Sequence, residues 1–229
     1  MGIYKAAKSV LVCAMVRIII PETDMEQAIE QAGEAIKRGG IVAYPTETFY
    51  GLGVKFDRED LLKKLYDIKR RPKERAMPLI IGERELLSLI VMSINPQALL
   101  LMERFWPGPL TLVFPAKENI SHYITAGTGK VAIRIPGESF ALHLAKRVNF
   151  PITATSANLS GMPPARDGRA VIKYFGDTVD LLIDGGPVPG RLPSTIVDVT
   201  GDEIEILREG AINSVVLREF LKKRSLRNI

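Results

Sequence analysis

Two short polar motifs carry side chains suited to gripping a polyanion: Lys69-Arg70-Arg71-Pro72 and, far downstream, Thr155-Ser156-Ala157-Asn158. Lys73 and Arg75 extend the first to five cations in seven residues. Arginine offers a two-pronged fork and lysine a compact charge, a pairing that fits phosphate oxygens. In an extended segment Lys69, Arg71, Lys73 and Arg75 would project to one side. The same stretch also reads as a solvated basic loop. Ser156 and Asn158 set a hydroxyl and an amide just beyond the apolar run Phe150 to Ala154. Open α/β sheets take ligands at such carboxyl ends. Asn158-Leu159-Ser160-Gly161 reads equally as an ordinary turn.

Five further positions belong with these. Pro45-Thr46-Glu47-Thr48 is a hydroxyl-rich bend after the apolar run Gly40 to Ala43, followed by Tyr50-Gly51-Leu52-Gly53. Its glycines allow a close backbone approach to a ligand, or simply a strained turn. Arg134 interrupts the apolar run Val131 to Ile135, and a central-strand arginine needs an ion-pair partner or an anionic ligand. Ser194 opens the strand that begins Thr195-Ile196, and Arg208 closes the next one, either exposed or touching ligand. Gly127-Thr128-Gly129-Lys130 imitates the end of a phosphate-binding P-loop. Position 124 is Ile and Val131 stands where a Ser or Thr would hold magnesium, so that reading is rejected. Lys130 can still touch an anion. His122 and His143 stand near no nucleophile motif, and no Gly-x-Ser-x-Gly elbow exists, so no hydrolase triad is indicated.

The elements that must position these groups follow from periodicity. A first strand is expected over Met15 to Ile20. Thr23-Asp24 can cap a helix whose apolar positions are Met25, Ala28, Ile29, Ala32, Ala35 and Ile36, and Gly39-Gly40 ends it. A strand follows at Ile41 to Ala43. Asp57 starts a helix with Leu61, Leu62, Leu65 and Tyr66 on one face. Further strands are expected at Leu79–Ile81, Leu110–Phe114, Val131–Ile135, Ile152–Ala154, near Leu181, and at Ile196–Val199 and Ile204–Leu207. Helices are expected after Asn95-Pro96, a cap and first-turn pair, over Ser139–Val148 and Gly168–Phe175, and from Ile212 to about Lys223. Strands alternating with helices indicate α/β with a mixed sheet.

The 229 residues, 46% hydrophobic and 25% charged, allow one sizeable core. The net charge of +5 favours anionic partners such as nucleotides or RNA without choosing between them. Cys13 is the only cysteine, so no internal disulfide can form and the usual Cys/His zinc clusters are excluded. That fits a reducing, cytoplasmic setting. Lys5, Lys8 and the run Val10 to Val16 look superficially like a signal peptide, but Arg17 interrupts the run and no small-residue cleavage site follows. The run is too short to span a bilayer. Residues 1–14 read as an extension and 15–229 as a single catalytic domain.

In this order the motifs resemble the YrdC-type threonylcarbamoyl-AMP synthase family. The resemblance runs from about Met25 to Ile212. It rests on Gly40-Ile41-Val42-Ala43-Tyr44-Pro45-Thr46-Glu47-Thr48, Lys69-x-Arg71-Pro72, Trp106-Pro107-Gly108-Pro109-Leu110-Thr111, Arg134-Ile135-Pro136, Ser156-Ala157-Asn158-x-Ser160-Gly161, Ser194-Thr195-Ile196-Val197-Asp198 and Arg208-x-Gly210. It implies a twisted, open mixed sheet with flanking helices and a concave basic cavity. The implied substrates are ATP, L-threonine and bicarbonate, with Mg2+ accompanying ATP. The product would pass to a separate threonylcarbamoyl transferase acting on tRNA, and a basic chain working upstream of tRNA could also bind it weakly. Thr46, Arg134 and Ser194 would contact threonine. Lys69, Arg71, Lys130, Ser156, Asn158 and Arg208 would contact ATP, with Lys69, Arg71, Ser156 and Asn158 at the reaction centre.

Two departures from the family pattern stand out. The stretch from Arg71 to Pro78-Leu79 is longer than expected, and Ile81-Gly82-Glu83 stand where a histidine is expected. The end at Ile229 suggests the short form, without the extra C-terminal domain. The rival readings are a carbamoyl-transfer relative using carbamoyl phosphate and a non-catalytic RNA-binding module. The basic 69–75 stretch lacks the interleaved aromatics that RNA binders use to stack bases.

Overall fold

The computed structural model describes residues 17–19, 24–189 and 192–225. The expected N-terminal extension, the signal-like run and Thr23 lie outside the described residues. Helix α1 (Met25–Lys37) starts where Asp24 accepts the Gln27 N–H at 2.9 Å, satisfying one of the free donors of the first turn. Its buried stripe is Ala28, Ala32, Gly33 and Ile36. Helix α2 (Glu59–Lys69) buries Leu61, Leu62, Leu65 and Tyr66 as expected. Asn95 caps α3 (Pro96–Phe105) by accepting the Ala98 N–H at 2.8 Å. The short α4 (His122–Thr125) was not foreseen. Helices α5 (Phe140–Val148), α6 (Gly168–Phe175) and α7 (Ser214–Ser225) complete the set. No helix among the described residues is long and apolar enough to cross a membrane.

The strands are β1 (Arg17–Ile19), β2 (Val42–Pro45), β3 (Tyr50–Gly53), β4 (Leu79–Ile80), β5 (Leu110–Pro115), β6 (Lys130–Arg134), β7 (Ile152–Thr153), β8 (Thr155–Ser156), β9 (Leu181–Ile183), β10 (Thr195–Asp198) and β11 (Glu205–Arg208). The mixed α/β architecture expected from the sequence forms, with the strands divided between two mixed sheets. The first has the order β1-β9-β2-β3-β8 and the second β11-β10-β5-β6-β4-β7. The chain crosses from the second sheet to the first at Ala154, between β7 and β8. There Ala154 N–H donates to Pro78 O at 2.9 Å. Beyond it Ser156 pairs with Gly51 and Thr155 with Leu52. A large cleft opens beside this corner.

Side chains alternate across each strand and so divide the core. Val42 and Tyr44 of β2 face α1 and α5, where Ala28, Ala32, Ile36, Leu144 and Val148 pack. Ile41 and Ala43 face the main core with Leu52, Leu62, Leu65, Leu79, Leu112 and Phe114.

The bend expected at Pro45–Thr48 leads directly into a strand, since residues 50–53 form β3, antiparallel to β2. Both glycines make room for the Tyr44 ring, and Gly51 also lines the large cavity. A Cβ at Gly53 would lie 2.6 Å from the Tyr44 ring, and one at Gly51 would lie 3.3 Å from it. Tyr44 is fully buried and donates its hydroxyl to Thr153 O at 2.8 Å, tying β2 to β7. Gly53→Ala should therefore overpack the hairpin and cost ~1–3 kcal/mol of unfolding free energy. Urea unfolding would measure it, and an unchanged midpoint would show that Tyr44 can move aside.

Candidate active site

Beside the corner lies a cavity of about 670 Å³. A second space of about 400 Å³ shares Arg71, Ala76, Ser156 and Arg208 with it as a common wall. Strand alternation builds the floor of the larger one. Thr111 and Val113 of β5, Lys130, Ala132 and Arg134 of β6, and Ile196 and Asp198 of β10 point into it. The bend Thr46–Phe49 and residues 154–156 supply the opposite wall. The smaller space is lined by Lys69, Arg71, Arg75, Arg208, Ser156 and Asn158, among others.

All nine residues singled out from the sequence border these two spaces. Among the described residues the linings carry six Lys or Arg side chains and one carboxylate, that of Asp198. Such an arrangement concentrates positive potential in a recess and favours a polyanion.

Lys69 does not begin an extended basic ladder. It ends α2 and is only 2% exposed, and Arg70 then turns left-handed with φ 50°. Its ammonium donates to Ser156 O and, at 2.8 Å, to Asn158 O. Lys69 thus fastens α2 to the turn after β8. Burial, reinforced by the charge of Arg71, pushes its pKa down from 10.5 to about 7.

The longer stretch after Arg71 is a loop wrapped around that side chain. Arg71 Nε donates to Arg75 O at 3.0 Å and Nη2 to Ala76 O at 2.7 Å. Its guanidinium lies 5.9 Å from the centre of the Tyr66 ring. Burial lowers the Arg71 pKa, with Tyr66 opposing the shift.

Ser156 stands within β8 rather than beyond a strand, and Asn158 is in the turn that follows. Ser156 Oγ donates to Asn158 Oδ1 at 2.6 Å. Asn158 Nδ2 donates to Leu159 O at 3.0 Å and Met162 O at 2.6 Å. These two side chains therefore serve one another and the turn, and both readings of the motif hold at once: a turn that is also a cavity wall.

Thr46 Oγ1 accepts N–H donors from Thr48 (3.0 Å) and Phe49 (3.2 Å) and lies 2.7 Å from Phe49 O, which closes the bend. Arg134 is buried and pairs through Nη1 with Glu47 Oε1. Lys130 pairs with Asp198 at 2.7 Å. Burial alone would raise the Asp198 pKa, but hydrogen bonds from Lys130 and Thr200 hold it below the usual carboxylate range. Arg208 Nη2 donates to Ser194 O at 2.7 Å and lies 3.3 Å from Ser194 Oγ. Partial burial and then the charge of Arg134 push Arg208 below its ordinary pKa.

Sequence reasoning passed over Thr111, Thr48 and Asp198. Thr111 Oγ1 sits 2.9 Å from Ser194 Oγ on the cavity floor. Its signal was present, since Leu110, Leu112 and Phe114 are the core face of β5 and Thr111 must lie opposite them. The histidine expected after β4 has no room at Gly82, where a Cβ would meet Lys146 N of α5 at 2.5 Å. Helix α5 closes that end of the sheet instead.

The sequence pattern of the Sua5/YciO/YrdC family, described as "telomere recombination", matches residues 34–210. A Pyrococcus abyssi protein named threonylcarbamoyl-AMP synthase is 37% identical over 195 residues, which are 85% of this chain and 57% of that one. A Coxiella burnetii protein of the same name is 36% identical over 81% of this chain and 98% of its own length. The crystal structure of P. abyssi Sua5 complexed with L-threonine superposes with a TM-score of 0.82 at 36% identity, covering 86% of this chain and 58% of that one. The chain thus spans little more than half the length of its P. abyssi relative and nearly all of the Coxiella one.

Proposed function

From a chain that belongs to the Sua5/YciO/YrdC family, we propose an L-threonylcarbamoyladenylate synthase, an enzyme of the nucleotidyltransferase class. It would form threonylcarbamoyl-AMP and pyrophosphate from L-threonine, bicarbonate or carbon dioxide, and ATP. One observation carries this reading. A cavity of about 670 Å³, roomy enough for a nucleoside beside an amino acid, opens directly onto a cationic space lined by Lys69, Arg71, Arg75 and Arg208. The relatives named threonylcarbamoyl-AMP synthase and the threonine complex of Sua5 support the choice of substrates.

The chemistry asks for placement and charge neutralisation rather than a protein nucleophile. Threonine's amine, once deprotonated, attacks carbon dioxide to give a carbamate. A carbamate oxygen then attacks the α-phosphorus, and the bond to the bridging oxygen breaks as pyrophosphate leaves. Arg134 would hold the threonine carboxylate, with the hydroxyls of Thr46 and Ser194 close by. Lys69, Arg71 and Arg208 would neutralise the phosphates, and Lys130 would meet the nucleotide farther along the floor. Ser156 and Asn158 contribute through the turn they hold against the phosphate space.

Magnesium would enter with ATP as its counter-ion. Asp198 and Glu47 are already paired with Lys130 and Arg134. Among the described residues Asp198 is the one carboxylate lining the cleft and it is engaged by Lys130, so the phosphates and water would coordinate the ion. The product is a mixed anhydride that water cleaves, so we infer a consuming transferase that passes the group to tRNA in the same cytoplasmic compartment. The exposed Arg70, Lys73 and Arg75 support weak tRNA binding.

Pyrophosphate release from ATP by the purified protein, with and without threonine and bicarbonate, tests the reading. Release that needs both supports it. Release without threonine but with carbamoyl phosphate points to the carbamoyl-transfer relative. Salt-sensitive tRNA binding with no release at all points to the RNA-binding module.

A further inference from the structure

The ion pair between Arg134 and Glu47 joins a strand residue to a bend residue 87 positions away in sequence. Only one of the two touches the large cavity. Arg134 lines it, whereas Glu47 sits behind, its Cγ 3.4 Å from where a Gly137 Cβ would stand. Arg134 Nη1 is taken by Glu47 Oε1, and its Nε and Nη2 have no hydrogen-bond partner among the described residues. Those two nitrogens form the side-on fork of a guanidinium, the edge that grips a carboxylate with two parallel bonds. The second Glu47 oxygen, Oε2, is buried without a partner among the described residues. An unsatisfied buried carboxylate oxygen detracts from stability, so the pair is poorly explained as a fold-stabilising contact.

We propose that Glu47 is the positioning residue for threonine recognition: by occupying Nη1 of Arg134 it fixes the guanidinium so that its Nε–Nη2 edge faces the substrate carboxylate. It also offsets the charge of Arg134, which otherwise repels the neighbouring Arg208 and would favour a phosphate oxygen at the amino-acid end. Glu47 thereby helps sort the two anionic substrates between the two ends of the cleft. The proposal rests on the synthase reading and adds a residue to it.

Glu47→Gln tests it, because the amide keeps the shape and removes the charge. The expected result is a threonine KM raised ~10–100-fold, the scale of one charge-assisted hydrogen bond. The ATP dissociation constant should stay within about twofold, since phosphate contacts lie at the other end. A purely structural loss would weaken both substrates together. A carboxylate-free analogue, 2-aminobutane-1,3-diol, used as a competitor of threonine, should bind the variant and the parent alike. Glu47→Asp keeps the charge but withdraws it from Nη1 and should give an intermediate KM, which provides a second variant should the glutamine one fold poorly. An unchanged or lowered threonine KM overturns the proposal, as does an equal loss for threonine and the carboxylate-free analogue. If the parent protein itself releases pyrophosphate without needing threonine, the synthase reading falls first and the proposal with it.

Discussion

Replacing Arg71 by alanine should lower threonine-dependent pyrophosphate release by ~10²–10³-fold, the scale seen when one preorganised charge donor is removed from a reacting centre. Arg71 stands in the wall shared by both spaces, where a phosphate chain running from the nucleoside end to the cationic end must pass. It also shapes that wall, because its Nε and Nη2 bond the Arg75 and Ala76 carbonyls. Lysine separates the two contributions. Arg71→Lys restores the charge but cannot reach both carbonyls with one ammonium. If charge alone matters, the lysine variant should recover most of the rate. If the folded loop matters, it should recover little, and its ATP KM should stay raised. Single-turnover rates at saturating ATP would read the difference, and near-parental turnover in the alanine variant would remove Arg71 from the mechanism.

Much of the framework was legible because it depends on local rules. Asp24 and Asn95 announce their helices by capping chemistry, and the alternation in β5 and β6 follows from the pleat alone. The misread elements share a cause in side chains whose role is set from far away. Gly51 and Gly53 look like turn residues, yet they lie in a strand because the Tyr44 ring covers them. Lys69 looks like surface charge, although it continues the buried stripe of Leu62, Leu65 and Tyr66 at helical spacing. A lysine's charge argues for exposure, and here the helical spacing outweighs it. Ser156 reads as a residue past a strand end because the crossing at Ala154 between sheets leaves no mark in the sequence.

The candidate site was legible as a set of residues but not as a circuit. Arg134 announced that it needed a partner or a ligand; Glu47 lay in a quoted motif without a role, and nothing in the spacing joined them. Lys130 and Asp198 are likewise 68 residues apart and meet only because β10 runs beside β5 and β5 beside β6. The consequence is physical as well as diagnostic. Each of the five cations expected to touch substrate proves to be held by a second group: carbonyls for Lys69 and Arg71, carboxylates for Lys130 and Arg134, and Ser194 for Arg208. Preorganisation of this kind keeps like charges in place before the polyanion arrives, and less side-chain freedom is lost on binding.

Lys69 should report the arrival of that polyanion through a proton. In the free protein its pKa is about 7, because burial and the Arg71 charge both oppose the ammonium. A triphosphate in the space that Lys69 lines reverses the local field and raises the pKa. Between pH 7 and the new value, the bound protein therefore holds more protons than the free one. Binding should take up close to one proton near pH 8, and affinity should fall by up to ~10-fold per pH unit above 7. Calorimetry of ATP binding in buffers of different ionisation enthalpy counts that proton directly. The free protein gives the complementary result. An unfolded lysine titrates near 10.5, so from about 7 to 10.5 the unfolded chain binds the extra proton and stability should rise with pH. Lys69→Met should abolish both pH dependences. It also removes the ammonium from the Ser156 and Asn158 carbonyls; Ser156 O keeps the Asn158 N–H at 3.0 Å, whereas Asn158 O loses its donor, at a cost of ~1–3 kcal/mol. The turn that faces the phosphates would then loosen, so the variant should lose ATP affinity even at pH 6, where charge is not limiting in the parent. Proton uptake that persists in the methionine variant would assign the titration to another group, and full ATP affinity in that variant would show that the turn holds without Lys69.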